Sequence, residues 1–221
     1  MQEQAVTEAY SATEEIAHSV THGIGVLLSV VGLATLIVYS SRYGDAWHIV
    51  SSSIYGVTLI ALYTVSALYH GVTAPRFKNV LQRLDHAAIF LLIAGTYTPF
   101  TLVNLRGGWG WSLFGTVWSV AVAGAIMELL VTQRSRRISI GLYLGLGWLV
   151  AIAIQPMFAN VAPGGLVLLV VGGLFYSLGV IFYVWRTLAF HHAIWHLFVL
   201  AGSAAHFFAV FRYVIPNGAT A

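Results

Sequence analysis

The chain contains seven long apolar runs separated by short polar connections. An α-helix needs about 20 predominantly apolar residues to cross the hydrocarbon core of a bilayer. Lipid offers no hydrogen bonds to the backbone, so a segment of this kind has to be helical or part of a closed barrel. The runs lie at 18–40, 47–70, 84–104, 111–131, 138–158, 164–185 and 192–214. They predict an all-α fold, a bundle of seven transmembrane helices.

The composition agrees with a lipid environment. Charged residues make up only 8% of the 221 residues and hydrophobic residues 59%, whereas soluble domains contain about 25% charged residues. We therefore expect a polar N-terminal segment at 1–17, a single membrane domain at 18–214 and a short tail at 215–221. The absence of cysteine excludes disulfides, thiolate metal ligands and cysteine nucleophiles.

The lysines and arginines predict an orientation. With a cytoplasmic N-terminus, the cytoplasmic side receives Arg76, Lys78, Arg83, Arg134, Arg136, Arg137 and Arg186, and the outer side receives Arg42, Arg106 and Arg212. Cytoplasmic loops contain the excess of basic residues, so we expect the N-terminus to be cytoplasmic and the C-terminus to be outside. The basic residues are dispersed and form no patch that would predict nucleic-acid binding.

Four polar residues stand out against the apolar background: His70, Asp85, His192 and His196. An Asp at the centre of a membrane helix costs about 2.5 kcal/mol or more. In this threading His70 ends the second helix, Asp85 begins the third, and the other two begin the seventh, all at the cytoplasmic side. His192 and His196 are four residues apart and share a helix face, a spacing that lets two imidazoles bind one ion. We predict a zinc site with three histidine ligands, where Asp85 is a fourth ligand or holds a bound water.

Three further residues accompany this predicted site. Ser66 lies one turn before His70 and could hydrogen-bond a ligand, Asp85 or a substrate, or bond back to its own helix. His18 and His22 repeat the four-residue spacing at the start of the first helix. We expect them to surround the site or to lie at the membrane interface, rather than to bind the metal.

Four sequence motifs are spread along most of the chain. They are Glu14-Glu15-Ile-Ala-His18-Ser-Val-Thr-His22-Gly-Ile-Gly25, Ser66-Ala-Leu-Tyr-His70, Leu84-Asp85-His86 running into Ile93-Ala-Gly-Thr-Tyr-Thr-Pro99-Phe100, and His192-Ala-Ile-Trp-His196. Together they resemble the bacterial hemolysin III proteins. That family belongs with the progestin and adipoQ receptors and, more distantly, with the alkaline ceramidases.

The resemblance implies a seven-helix protein of the bacterial cytoplasmic (inner) membrane, with zinc near the cytoplasmic leaflet. It implies zinc ligation by His70, His192 and His196, with Asp85 contacting the zinc-bound water and Ser66 nearby. Eukaryotic relatives are linked with hydrolysis of lipid amides, and bacterial relatives with haemolysis and membrane lipid homeostasis.

Three functions are compatible with these features. The first is a zinc-dependent hydrolase acting on membrane lipid amides or esters, in which Asp85 accepts a proton and Ser66 helps to hold the oxyanion. The second is a sensor or regulator of the bilayer in which zinc only joins helices. The third is a haemolytic pore former, which the sequence disfavours because few charges line a continuous path.

Overall fold

The computed structural model describes residues 10–131 and 135–215. Within these ranges all regular structure is helical and there is no strand. The helices are α1 Ala12–Tyr43, α2 Ala46–Gly71, α3 Pro75–Pro99, α4 Gly108–Leu130, α5 Arg136–Gly147, α6 Ile154–Asn160, α7 Pro163–Val184 and α8 His191–Tyr213. A π-helical turn at Phe100–Asn104 extends α3, and a 3-10 turn at Leu149–Ala153 joins α5 to α6.

These elements form seven helices that are long and apolar enough to cross a membrane. The π-helical turn continues α3 into one span, Pro75–Asn104, and α5 and α6 together make another, Arg136–Asn160. The predicted all-α bundle of seven transmembrane helices is confirmed, and the chain is a multi-pass membrane protein.

Helix α1 begins earlier than the hydrophobic pattern predicts. The apolar run starts at 18, but a capping box starts the helix at Ala12. The backbone N–H of Glu14 donates to the Ser11 hydroxyl, and the backbone N–H of Ser11 donates to the Glu14 carboxylate at 3.0 Å. This exchange satisfies two otherwise unpaired donors at the helix start. Part of the polar segment is therefore helical, and Glu15 lies in the first turn of α1.

Helix α3 also begins before the predicted span. Residues 75–78 were expected to be a connection, and that expectation is wrong: they form the first turn of α3. Pro75 is at the start of the helix, where its fixed φ and missing N–H are both tolerated. Lys78 is consequently helical. Asp85 lies ten residues beyond Pro75, about 15 Å along the helix axis, and not at the helix start as predicted.

The predicted span at 138–158 is not one continuous helix. It breaks at the 3-10 turn, where backbone groups lose their regular partners. Tyr97 of α3 supplies replacements, because its hydroxyl contacts the carbonyl oxygens of Leu146 and Gly147 at 3.0 and 2.8 Å and accepts from the N–H of Val150 at 2.8 Å. A helix break at membrane depth is tolerated where buried protein groups satisfy the backbone in this way.

Helix packing brings four helix ends together. Helices α1, α2 and α3 pack in sequence, α7 packs on α8, and α1 closes against α8. Where α7 meets α8, a Cβ atom added to Gly172 would lie 3.1 Å from the carbonyl oxygen of Gly202. A Cβ atom added to Gly202 would lie equally close to the carbonyl oxygen of Gly172. The N–H of Phe190, just before α8, donates to the Glu14 carboxylate at 3.2 Å. The starts of α1, α3 and α8 and the end of α2 therefore share one end of the bundle.

Candidate metal centre

Three histidines from two helices converge at this end of the bundle. His70 lies in the last turn of α2, and His192 and His196 lie in the first two turns of α8. All three are buried, and one ring nitrogen of each lies within 4.8 Å of the other two. Their ring centroids are 4.6 to 5.2 Å apart. Small side-chain adjustments would bring the three nitrogens onto one ion.

Hydrogen bonds at the Nδ1 atoms leave Nε2 available in two of these rings. Nδ1 of His196 lies 3.2 Å from the carbonyl oxygen of His18, which can only accept, so Nδ1 carries the proton. It also lies 3.1 Å from the hydroxyl of Thr21. Nδ1 of His70 lies 2.6 Å from Oε2 of Glu15, while its Nε2 is buried and has no hydrogen-bond partner among the described residues. Metal-binding histidines commonly donate their second ring N–H in this way, so the residues fit a metal ion.

Two histidines of α1 surround this cluster. The ring of His18 is fully buried, with its centroid 4.7 Å from that of His70 and 4.9 Å from that of His192. The ring of His22 stacks on that of His196 at 3.5 Å. In the described chain neither nitrogen of His18 or His22 has a hydrogen-bond partner. An unsatisfied buried polar group costs about 1–3 kcal/mol, so a polar ligand or an ion here would offset an appreciable cost.

The structure brings Ser66 and Asp85 together beside the histidines. Ser66 is buried on α2, one turn before His70, and lies next to the Asp85 carboxylate. Asp85 also lies within electrostatic range of His70. Among the described residues it belongs to neither group of side chains close enough to share a metal. The geometry therefore favours a position next to the metal site over a fourth ligand.

Glu15 contacts the site directly and was not among the predicted site residues. Glu15 forms a second group of possible ligands with His18 and His70. Its Oε2 lies 2.6 Å from Nδ1 of His70 and its Oε1 lies 2.7 Å from Nζ of Lys78. One signal was available: Glu15 precedes His18 by three residues and so shares its helix face. The assignment of Glu15 to a polar segment outside the membrane domain, and of Lys78 to a loop, hid the contact.

An aromatic side chain covers the same cluster. The ring of Tyr10 lies 4.7 Å from that of His18 and 5.4 Å from that of His192. Tyr10 precedes α1 and lies in the polar segment. No helical periodicity of apolar residues there indicates that its side chain packs on the histidines. It is a contact residue that only the structure identifies.

His206 lies deeper along α8 and is separate from the cluster. Its Nε2 lies 3.1 Å from the carbonyl oxygen of Leu169 in α7. His206 is therefore a buried side chain that is hydrogen-bonded between α7 and α8.

Most of the chain matches a family of known proteins. The Haemolysin-III related family matches residues 10–207, a region that contains every residue of the candidate site. This chain belongs to the haemolysin III family. The resemblance inferred from the motifs is therefore confirmed.

Individual haemolysin III relatives align along almost the whole chain. The "Hemolysin-3 homolog" of Bacillus subtilis (strain 168) is 48% identical over 206 residues, covering 93% of this chain and 97% of the relative. "Hemolysin-3" of Bacillus cereus is 46% identical over 204 residues, covering 92% and 93%. The human "Monocyte to macrophage differentiation factor" is 30% identical over 207 residues, covering 91% and 84%. This last similarity supports the predicted link to progestin and adipoQ receptor-like membrane proteins.

Proposed function

We propose that this haemolysin III protein is a zinc-dependent hydrolase of lipid amides or esters that acts at the membrane. One observation supports the proposal above all: three buried histidines from two helices bring one nitrogen each within 4.8 Å. Ionisable residues inside membrane helices are expensive and mark functional sites by default. Histidines that served only as separate polar residues at the membrane interface would not be expected to meet.

Zinc is the proposed metal because of the ligand set. The group of His70, His192 and His196 offers three imidazole nitrogens, which suit zinc among the first-row metals. Three protein ligands with one open position are typical of catalytic zinc, whereas structural sites are usually closed by four. When bound, zinc supplies Lewis acidity, which polarises a carbonyl and makes water acidic enough to ionise near neutral pH.

Asp85 is the proposed proton acceptor. Its carboxylate lies beside the histidines and belongs to neither group of possible metal ligands among the described residues, and Ser66 lies next to it. A positioned carboxylate that takes a proton from water is a general base. In this proposal Ser66, on α2, orients the carboxylate of Asp85, on α3. The carboxylate is then held between these two helices and does not face the bilayer.

The proposed substrates are membrane lipids that reach the site from the bilayer. The site lies at the end of the bundle that carries Lys78, Arg83 and Arg186. Because cytoplasmic loops contain the excess of basic residues, we infer that this is the cytoplasmic end. We therefore place the reaction at the cytoplasmic leaflet of the bacterial inner membrane. An acyl amide or ester has its carbonyl near the headgroup region, at the depth expected for helix ends.

A sensor or regulator with structural zinc is the second candidate. It is favoured by the packing of five imidazole rings from α1, α2 and α8 around one point. An ion there would join helices distant in sequence. This function predicts that zinc loss changes stability while no lipid product forms. Pore formation has no comparable supporting geometry.

Elemental mass spectrometry of detergent-purified protein tests the metal first. We expect stoichiometric zinc in the wild type and none in His192→Ala/His196→Ala. The matched control is His48→Ala, because His48 lies at the opposite end of the helix that contains His70 and pairs with Asp45. Zinc that persists in the double variant would overturn the site.

Turnover is tested on the same preparations. Zinc-loaded protein in liposomes of bacterial lipid extract should release acyl chains that mass spectrometry detects, and the double variant should release none. If the protein binds zinc but forms no lipid product, and if chelation of the zinc lowers its thermal stability, the hydrolase proposal would be wrong. The role of zinc would then be structural.

A further inference from the structure

Glu15 and His70 form the shortest polar contact around the candidate metal centre. Oε2 of Glu15 lies 2.6 Å from Nδ1 of His70, whose side chain has no exposed surface. Contacts this short are typical of charge-assisted hydrogen bonds. The two residues are 55 positions apart in sequence, so this bond joins the first turn of α1 to the last turn of α2.

This hydrogen bond determines which nitrogen of His70 can bind a metal. A neutral imidazole has one N–H and one lone pair, and a carboxylate oxygen only accepts. Nδ1 must therefore carry the proton, and the lone pair is on Nε2. Nε2 is buried, and within residues 10–131 and 135–215 it has no hydrogen-bond partner. Glu15 thus selects the tautomer that can coordinate.

Lys78 holds Glu15 in place. Its Nζ donates to Oε1 of Glu15 at 2.7 Å and to the carbonyl oxygens of Tyr69 and Val72 at 3.3 and 3.4 Å. Those carbonyls belong to the end of α2, next to His70. One ammonium therefore compensates the carboxylate charge and ties the starts of α1 and α3 to the end of α2.

We propose that Glu15 is the positioning residue for His70, with Lys78 as its counter-ion, and that the two set the metal affinity of the centre. This inference rests on the proposed metal site. The alternative is that Glu15 is itself a ligand, together with His18 and His70. Two contacts oppose that alternative: both carboxylate oxygens are occupied, one by the His70 N–H and one by Lys78. Carboxylates that orient a metal-bound histidine are worth about 10–100-fold in metal affinity.

Zinc affinity measured by chelator competition on the full chain in detergent tests the proposal. We expect Glu15→Ala to lower the affinity by about 10–100-fold, and Glu15→Gln to lower it less, because its amide oxygen still accepts from Nδ1. Lys78→Met should also lower it, since Glu15 loses its anchor. Glu14→Gln is the matched control. Glu14 is the adjacent carboxylate, but it contacts Ser11 and Phe190 and not an imidazole. The zinc affinity of the Glu14→Gln protein should equal that of the wild type.

Two additional measurements separate the possible roles. Thermal unfolding of the metal-free variants tests whether Glu15 has a purely structural role. In that case the stability of the variants would fall while the zinc affinity of the folded protein stayed unchanged. That result would overturn the proposal. X-ray absorption of zinc-loaded Glu15→Gln should show the same three-histidine coordination as the wild type, and a lost oxygen ligand would also overturn it. If the wild type binds no zinc, or His192→Ala retains it, the metal site itself fails.

Discussion

The imidazole rings of His22 and His196 are stacked, with centroids 3.5 Å apart and planes inclined by 11°. His22 is on α1 and His196 on α8, so this contact joins the first helix to the last. The Tyr63 ring of α2 packs against His22 in a T-shaped arrangement, with ring centroids 5.0 Å apart. The buried His22 ring therefore contacts both a proposed metal ligand on α8 and an aromatic ring on α2.

His22→Ala should reduce stability but retain the metal. His22 belongs to neither group of possible ligands in the described chain, and its removal leaves a cavity beneath His196. Large-to-small substitutions of buried apolar side chains cost about 2–5 kcal/mol. Removal of the two ring nitrogens of His22, which have no hydrogen-bond partner among the described residues, offsets part of that cost. Thermal unfolding and elemental analysis of the same sample measure both effects. A folded His22→Ala protein without zinc would instead make His22 a ligand.

Asp85→Asn should separate metal binding from turnover. The variant keeps the shape of the side chain and its contact with Ser66 but cannot accept a proton, so zinc content should remain while lipid cleavage falls by about 10²–10⁴-fold. Ser66→Ala should reduce turnover less, because Asp85 remains and only its orientation is lost. Product release measured by mass spectrometry compares the variants, and unchanged turnover in Asp85→Asn would refute its role as the base.

Gly25→Ala should destabilise the protein through Tyr63. A methyl group at Gly25 would lie 2.6 Å from the Tyr63 ring, and that ring is fixed by its hydrogen bond to Ser203 at 2.7 Å. Overpacking in a core costs about 1–3 kcal/mol. Gly23→Ala is the control on the same helix, since nothing lies within 4 Å of its added methyl group. Equal melting temperatures for the two variants would show that α1 can move away from Tyr63.

The proposed orientation can be tested with single cysteines, because the chain has none of its own. Thr13 and Ser41 are exposed at opposite ends of α1. In intact spheroplasts a membrane-impermeant maleimide should label Ser41→Cys at once and Thr13→Cys only after permeabilisation. The reverse pattern would place the N-terminus outside and the candidate metal centre at the outer leaflet.

The seven spans were predictable because burial in lipid imposes a simple length and composition on each helix. Their boundaries were less predictable where polar residues begin a helix. Ser11 and Glu14 start α1 through a capping box, and Pro75 starts α3, ahead of any apolar run. Both differences matter for the site, because they place Glu15 and Lys78 on helices that reach His70.

The convergence of His70, His192 and His196 was inferred from the end of the bundle each should occupy, and the structure brings them together. Sequence reasoning could not supply the hydrogen-bond partners of these rings. The Glu15 carboxylate and the His18 carbonyl select a tautomer through contacts between helices distant in sequence. The position of Asp85, well inside α3 and next to Ser66, likewise depended on where α3 begins.

The sequence by itself determined the class of fold, the number of spans and the residue types that meet at one end of the bundle. These follow from local hydrophobicity and from the periodicity of a helix, which act over neighbouring residues. Only the tertiary structure decided which nitrogen of each imidazole is free, which carboxylate orients His70, and which rings pack around the cluster. Those features depend on how α1, α2, α3 and α8 are rotated against one another, and side-chain packing across the whole bundle sets that rotation.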